Sequence, residues 1–268
     1  AWQQVRRRNP APEAPAGLLG EALAASALMF SNVKLKGQIA LQLQGGSGPV
    51  NLLLAQCTDQ GTVRGIVDYT AENETSPSAF RDLVANSVLA INMEQAHSQT
   101  RYQGIVELSG DCLGAALEGY FDRSEQLPSR IKLAADGSSA GGLLLQRLPG
   151  EMEDADGWNR LSILAETLTG EELLALEGEE ILRRLFHREA VRVDPVQPLA
   201  FGCRCNRERV VQVLRALGEE DLEQATDARG AIDVNCQFCN ELYRFDAVDL
   251  GQILNSTLPV GETPNTRQ

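Results

Sequence analysis

Two short stretches in the last quarter of the chain decide the fold of that part: FGCRCNRERVV (201–211) and VNCQFCNELYRFD (234–246). Together they hold four of the six cysteines, as one CxC pair and one CxxC pair. Six cysteines in 268 residues are too few for a secreted disulfide scaffold, and paired cysteines are typical of metal or redox chemistry. This pattern favours a protein of the reducing cytoplasm.

Paired spacing predicts a metal site made of sulfur ligands alone. The candidate ligands are Cys203, Cys205, Cys236 and Cys239. The first pair precedes a predicted helix and the second lies at the tip of a predicted hairpin, so four thiolates can surround one Zn²⁺ at about 2.3 Å. His97 and His187 are isolated elsewhere in the chain and are not expected to be ligands. Four free thiols and an iron–sulfur cluster are the alternatives, but the spacing is unusual for such a cluster.

The segment 199–255 is predicted to be a small zinc module. Its pattern indicates a helix at 206–218 with Asn206 as N-cap, a short helix at 219–229, a hairpin around the CxxC pair and a closing helix at 247–254. A segment this small needs a metal or a disulfide to supplement its apolar core. The tail 256–268 is predicted to be disordered.

The CxC spacing departs from ordinary structural zinc sites, which use CxxC or CxxxC in both halves. One intervening residue makes a cramped chelate, and a disulfide across it closes a strained ring that is easily reduced. Zinc thiolates stay nucleophilic, so an oxidant such as peroxide can take the sulfurs and eject the metal. Because so small a module depends on its metal, the sequence is consistent with an element that unfolds on oxidation.

Residues 1–150 are predicted to form an α+β domain, an N-terminal mixed, mainly antiparallel sheet with helices. Apolar and polar residues alternate in VKLKGQIALQLQ (33–44), and GGSGP (45–49) predicts the turn of a hairpin. The further predicted strands are 50–57, 62–69, 87–95, 101–108, 129–136 and 140–148. A helix is predicted at 111–126 with Asp111 as N-cap. Two lone cysteines, Cys57 and Cys112, are expected to be buried core residues.

Residues 151–198 hold 12 acidic residues against 5 arginines and are predicted to form a helical linker. The helical patterns lie at 159–168, 171–177 and 179–186, and AVRVDP (190–195) favours a strand. A cap packed permanently on the sheet domain is the first interpretation. A marginally docked linker is the alternative, because short helices have little stability of their own.

Composition limits the partners. The net charge of −13 speaks against nucleic acid or an anionic membrane, since both need a basic face. Three arginines at 6–8 precede an apolar stretch at 18–30, but prolines separate the two parts and Glu21 interrupts the stretch. The stretch therefore predicts an amphipathic helix rather than a signal peptide. The sequence contains no run of about 18 apolar residues, so no membrane span is predicted.

The two cysteine stretches closely resemble the C-terminal zinc module of the bacterial redox-regulated heat-shock holdase family, that of the thirty-three-kilodalton chaperonin. Other segments look like that family's in the same order: GEALAASALM, QLQGGSGPVNLLLAQC, GYFDRSEQLPSRI, AGGLLLQRLPG and RLFHREAVR. The resemblance extends from about Trp2 to Leu254. The one departure is the start, where the family usually has further residues in the sheet domain.

The resemblance implies an ATP-independent holdase that is inactive when reduced, with one Zn²⁺ on the four cysteines. Oxidation, aided by mild heat, is then expected to form the disulfides Cys203–Cys205 and Cys236–Cys239, release the zinc and unfold the module and the linker. The exposed surface would capture unfolding client proteins, often as a homodimer. The resemblance thus reverses the interpretation of 151–198 in favour of marginal docking. No GxxxxGK[ST] phosphate loop occurs in the chain.

Two rival functions remain at this stage. A thiol–disulfide oxidoreductase built on CQFC is disfavoured because such motifs begin a helix, whereas this one is predicted in a hairpin. A purely structural zinc module that binds nucleic acid is disfavoured because 199–255 holds 6 arginines against 10 acidic residues. The sequence therefore predicts no enzyme, no catalytic residue and no cofactor besides zinc.

Overall fold

The computed structural model describes residues 1–33, 36–70, 79–96, 101–150, 154, 156–217, 219–227 and 229–255. Contacts divide the chain into two units, Ala1–Gly202 and Cys203–Gln268. The helices predicted between 151 and 198 belong to the first unit, and the four-cysteine motifs belong to the second. The finer division at 150 and 198 stays a prediction, and the predicted tail at 256–268 lies outside the described residues.

The alternating segments form strands, as predicted. The strands are β1 (Gly37–Gln44), β2 (Val50–Thr58), β3 (Thr62–Tyr69), β4 (Val88–Gln95), β5 (Arg101–Val106), β6 (Ser129–Ala135), β7 (Ala140–Gln146), β8 (Ala200–Phe201), β9 (Ile232–Asn235) and β10 (Leu242–Phe245). A six-stranded sheet has the order β5–β4–β1–β2–β3–β8, and β6–β7 and β9–β10 form separate hairpins. All pairings are antiparallel except the parallel pair β3–β8, which confirms a mixed, mainly antiparallel α+β fold.

The centre of the sheet is built on β1, whose alternate side chains face the core. Ile39, Leu41 and Leu43 are each no more than 2% exposed. Leu41 lies opposite Ala55 of β2 and Ile91 of β4, both fully buried. Full burial of a large apolar side chain contributes roughly 1.5–3 kcal/mol, so this strand anchors the first unit.

Ten α-helices lie in the described part of the chain: α1 (Trp2–Arg8), α2 (Glu13–Asn32), α3 (Phe80–Leu83), α4 (Leu113–Tyr120), α5 (Gly157–Glu166), α6 (Gly170–Ala175), α7 (Gly178–Phe186), α8 (Arg207–Leu217), α9 (Glu219–Ala225) and α10 (Ala247–Asn255). Two of them, α1 and α3, were not predicted. In α1, Trp2 and Val5 share one buried face, and the Trp2 indole donates to the Asp136 carbonyl at 2.9 Å. Tertiary packing therefore stabilises a helix too short to be recognised from its own sequence.

Helix α2 is the core helix of the first unit and begins five residues earlier than the predicted 18–30. Within the described residues it is the one helix long and apolar enough to cross a membrane, although Glu21 interrupts its apolar run. In the fold, 56% of its most apolar window is buried, and Leu19 and Leu23 lie in the core beside the sheet. Its apolar character is accounted for by this packing.

Helix α4 corrects two predictions. Cys112, not Asp111, is its N-cap, because the Cys112 sulfur accepts from the Ala115 amide at 3.4 Å. Asp111 instead pairs with Arg81 at 2.9 Å on the surface. Cys112 is therefore exposed, and the prediction that it is a buried core residue was wrong. Cys57, at the end of β2, is buried as predicted.

Helices α5, α6 and α7 cover one face of the β6–β7 hairpin. Their buried side chains include Ala165, Ile181 and Leu185, which pack against Leu143 and Leu145 of β7. The predicted strand at 190–195 was wrong, since residues 191–199 form no helix or strand and are exposed. A strand needs a neighbouring strand to pair with, and this part of the chain begins to pair with β3 at Ala200, the start of β8.

The second unit contains α8, α9, the β9–β10 hairpin and α10. The predicted cap of α8 is confirmed, because the Asn206 side chain accepts from the Arg209 amide at 2.8 Å. The buried core consists of Val210, Leu214, Leu222, Ile232, Phe245, Leu250 and Ile253. Because an apolar core of this size contributes too little stability for independent folding, this unit needs a further source of stability.

Candidate metal centre

The second unit brings the two cysteine pairs together. Cys203 and Cys205 lie in the extended segment before α8, and Cys236 and Cys239 lie in the turn between β9 and β10. The four sulfur atoms all lie within 4.8 Å of one another. In the described part of the chain, this is the one group of three or more His, Cys, Asp or Glu side chains that could hold a metal ion.

Backbone hydrogen bonds shape the CxxC turn. The Cys236 amide donates to the Glu241 carbonyl at 3.0 Å, and the Asn240 amide donates to the Cys236 carbonyl at 2.8 Å. Asn240 adopts a left-handed conformation with φ of 58°, which asparagine tolerates better than most residues. This tight turn holds both cysteines at the tip of the hairpin and brings their sulfurs to the CxC segment.

The sulfur separations fit a tetrahedral metal. A Zn–S bond of about 2.3 Å gives a sulfur–sulfur edge of about 3.8 Å in a regular tetrahedron. Two sulfur–sulfur separations join the two motifs: Cys203 to Cys236 at 3.6 Å and Cys205 to Cys239 at 3.3 Å. Four soft sulfur donors suit Zn²⁺ in a structural site.

Tyr243 is a neighbour of the site that the sequence analysis missed. Its hydroxyl donates to the Cys205 sulfur at 3.2 Å, and its ring packs on the core of the second unit. This hydrogen bond raises the pKa of the Tyr243 hydroxyl. The sequence signal was that Tyr243 lies on β10, shortly after the CxxC pair. The direction of its ring depends on the pairing register of β9 and β10, which the sequence does not give.

The sulfurs differ in how readily they ionise. Burial raises the pKa of Cys203, but hydrogen bonds from the Cys205 amide and the neighbouring thiols outweigh it and bring the pKa to about 7. Burial raises the pKa of Cys205 and, more strongly, that of Cys239. A cluster in which one thiol ionises near neutral pH is suited to bind a divalent cation, because binding then displaces the remaining protons.

The remaining candidates lie apart from this centre. Cys57 is 2% exposed, and burial raises the pKa of its thiol to about 11, so it is poorly reactive at neutral pH. His187 is exposed at the end of α7 in the first unit. His97 lies outside the described residues.

The chain thus has the architecture of a mixed-sheet protein with a small C-terminal four-cysteine unit. Comparison of its sequence with known proteins identifies the family. The family model described as "Hsp33 protein" matches residues 1–246. The 33 kDa chaperonin of Azotobacter vinelandii is 46% identical over 259 residues, covering 94% of this chain and 86% of that protein. A 33 kDa chaperonin of Pseudomonas fluorescens is 44% identical over the same length.

Comparison of the fold with solved structures also finds a 33 kDa chaperonin. The crystal structure of a 33 kDa chaperonin from Thermotoga maritima matches with a TM-score of 0.80 at 24% identity, covering 95% of this chain and 90% of that one. The chain belongs to the Hsp33 family and is a chaperone.

Proposed function

We propose that the protein is a redox-regulated, ATP-independent holdase of the cytoplasm that binds unfolding client proteins. The observation that carries the proposal is the meeting of four cysteine sulfurs within 4.8 Å in a unit whose described residues include seven buried apolar side chains. The fold of that unit would depend on a metal, and the metal would depend on the redox state of its ligands. No catalytic turnover is proposed.

In the reduced state, Cys203, Cys205, Cys236 and Cys239 would hold one Zn²⁺ as thiolates. The ion would cross-link the CxC segment to the β9–β10 turn. Each pair of thiolates that reacts with peroxide forms one disulfide and reduces one peroxide to two hydroxide ions. Two peroxides therefore consume all four ligands of one chain.

The proposed disulfides are Cys203–Cys205 and Cys236–Cys239. They do not follow the two short separations that link one motif to the other, Cys203 to Cys236 and Cys205 to Cys239. A disulfide between the motifs would staple the unit together, whereas disulfides within the motifs release one motif from the other. The pairing within motifs is thus the one that converts oxidation into unfolding.

The helices α5 to α7 are proposed to be the linker that this unfolding releases. They are short, and their ion pairs are exposed or half-exposed. Arg160 with Glu189 at 2.9 Å and Arg184 with Glu172 at 2.5 Å join residues of the helical segment to one another, and Arg130 with Glu166 at 3.6 Å joins it to β6. Such pairs contribute little each. Their release would expose the apolar face of β7 around Leu143 and Leu145, a surface suited to an unfolded chain.

Clients are proposed to be unfolded or oxidatively damaged proteins, and the active form a homodimer. The net charge of −13 and the acidic excess in both the linker and the module argue against nucleic acid as a partner. A thiol–disulfide oxidoreductase finds no support in the geometry, because the CQFC motif lies in a hairpin turn rather than at the start of a helix.

One experiment tests the proposal as a whole. Reduced protein is treated with peroxide at raised temperature while zinc release is followed with a chromophoric chelator, and suppression of the aggregation of a denatured client is measured in parallel. Zinc release and aggregation suppression are expected to rise together. Zinc that leaves without any gain in suppression would contradict the proposal, and catalytic reduction of insulin would support the oxidoreductase instead.

Replacing Tyr243 by phenylalanine should weaken metal binding about tenfold, since loss of an outer hydrogen bond to a ligand typically has such an effect. The substitution removes only the hydroxyl that donates to Cys205 and keeps the ring in the core. Competition with a chelator gives the zinc affinity, and the absorption bands of the Co²⁺ form report the ligand field. Tyr69→Phe on β3 is the matched control. Equal affinity in Y243F and the wild type would refute this role of Tyr243.

Acid should loosen the helical linker. Arg184 lowers the pKa of Glu172 to about 2, and Arg160 lowers that of Asp154. A carboxyl with a lowered folded pKa stabilises the fold above its unfolded pKa, and that contribution is lost as the pH falls, here from about 4.5 toward 2. The fluorescence of Trp158 in α5 reports the transition in a Trp2→Phe background.

Glu172→Gln should reduce the acid dependence of this transition, whereas Glu171→Gln, its exposed neighbour, should not. Any acid loss of zinc affects both variants equally and cancels in the comparison. Identical pH profiles for both variants would show that the pair of Glu172 with Arg184 does not hold the linker.

A further inference from the structure

Beside β3, the six-stranded sheet ends in β8, a strand of two residues. Strand β8 pairs in parallel with the start of β3. The Ala200 amide donates to the Gly61 carbonyl at 2.9 Å. The Gly202 amide donates to the Val63 carbonyl at 3.1 Å. Alternate residues of a strand turn their backbone groups to the same edge, so Gly61 and Val63 present this edge.

Helix α1 and the residue after it complete the cover. The next carbonyl on the same edge, that of Gly65, accepts from the Asn9 side chain at 3.2 Å. The Arg8 guanidinium lies over the Phe201 ring at 4.5 Å from its centre. An arginine in this position attracts the face of an aromatic ring. The site thus offers both backbone partners and a seat for one aromatic side chain.

The edge is shaped for close approach of another backbone. Gly61 has φ of +68°, and a Cβ there would lie 2.5 Å from the Pro198 carbonyl oxygen. A Cβ on Gly202 would lie 2.8 Å from the Thr62 Cβ. Side chains at these two glycines would therefore push the strand that pairs with β3 away from it.

Strand β8, which occupies this edge, is preceded by a segment with no regular structure. Residues 191–199, which lead into β8, are exposed and form no helix or strand. They also join β8 to the helical linker proposed to undock on oxidation. A two-residue strand whose preceding segment is solvated is the kind of edge pairing that another extended chain can replace.

We infer that the edge of β3 at Gly61 and Val63, together with Arg8, is a strand-docking site for clients. Strand β8 occupies it in the resting chain. After release of the linker, an extended segment of an unfolded protein carrying an aromatic side chain takes its place, with the ring on Arg8. This inference rests on the proposed function, because it requires the linker to leave.

The resident strand indicates the chemistry of the ligand. It is extended and parallel to β3, it places a phenylalanine on Arg8, and it has a glycine immediately afterwards. An unfolded protein exposes both unpaired backbone groups and aromatic side chains. Main-chain hydrogen bonds would supply sequence-tolerant binding, and the arginine would supply a preference for aromatic residues.

The test measures affinities of the oxidised full-length chain for two fluorescent peptides that differ only in having Phe or Leu at the central position. Arg8→Gln is expected to weaken binding of the Phe peptide about threefold, as expected for loss of a partly exposed cation–π contact. It should leave binding of the Leu peptide within error of the wild type. Arg7→Gln, on the exposed side of α1, is the matched control.

The outcomes separate this inference from the proposed function. If oxidation gives the wild type no gain in peptide binding or aggregation suppression, the proposed function fails. If the wild type gains both, but Arg8→Gln binds the two peptides as the wild type does, only the docking site on β3 is refuted. Zinc release by peroxide should be the same in both arginine variants.

Photo-cross-linking locates the contact. A benzoylphenylalanine placed at position 8 should cross-link an isotope-labelled denatured client after oxidation and should do so at least threefold more than the same probe at position 7. Equal yields at both positions, or cross-links only between copies of this chain, would overturn the inference.

Discussion

Cys236→Ser is expected to unfold the second unit while the sheet unit stays folded. The serine hydroxyl is a poor ligand for a soft site, and the remaining three sulfurs lose the tetrahedral set. Metal binding supplies about 10–16 kcal/mol to small zinc modules, and in its absence the cost of ordering the chain offsets what the described buried side chains of this unit contribute. Zinc content should fall below one per chain, and hydrogen exchange in 203–255 should reach the unfolded rate.

Cys112→Ser is the matched control for this substitution. It makes the same chemical change at an exposed cysteine that caps α4, and serine is a good N-cap. Zinc content, exchange rates and the response to peroxide should all remain those of the wild type. A folded second unit in the zinc-free Cys236→Ser protein would contradict the metal dependence of the module.

Leu185→Ala should activate the reduced, zinc-bound protein. Leu185 is 2% exposed in the core shared by α5, α6 and α7, and removing such a side chain costs about 2–5 kcal/mol. That cost is large for a segment of three short helices, so the linker should undock without oxidation. Aggregation of a denatured client should be suppressed by the reduced variant, while zinc remains bound.

Ile163→Ala is the control, because Ile163 lies on α5 but is 55% exposed. It should stay inactive until oxidised. Hydrogen exchange of residues 157–189 decides how a negative result is interpreted. If the Leu185→Ala protein loses protection there and still fails to suppress aggregation, the face covered by the linker does not bind clients.

Local patterns predicted those parts of the molecule whose stability is local or whose periodicity is strong. Alternation in β1 and the turn that follows it identified the central hairpin, and Asn206 identified the start of α8. The four cysteines were predicted as one group from their spacing, because ligands of structural zinc sites typically come in short pairs. Their convergence within 4.8 Å follows from the β9–β10 turn, which the CxxC pattern also indicated.

The missed features depend on distant partners. Helix α1 exists because Trp2 and Val5 are buried against the sheet unit, whereas the segment 190–195 pairs with none of the described strands. Asp111 seemed the natural cap of α4, yet its carboxylate is drawn to Arg81 and the Cys112 sulfur takes its place. Such choices are decided by tertiary contacts, which spacing does not encode.

Hydrogen exchange on the reduced zinc-bound and peroxide-oxidised full-length protein tests the central claim most directly. Oxidation is predicted to remove protection from residues 203–255 and 157–189 while β1, β2 and β4 keep theirs, with disulfides mapped to Cys203–Cys205 and Cys236–Cys239. An oxidised protein that suppresses client aggregation with both segments still protected would contradict the account.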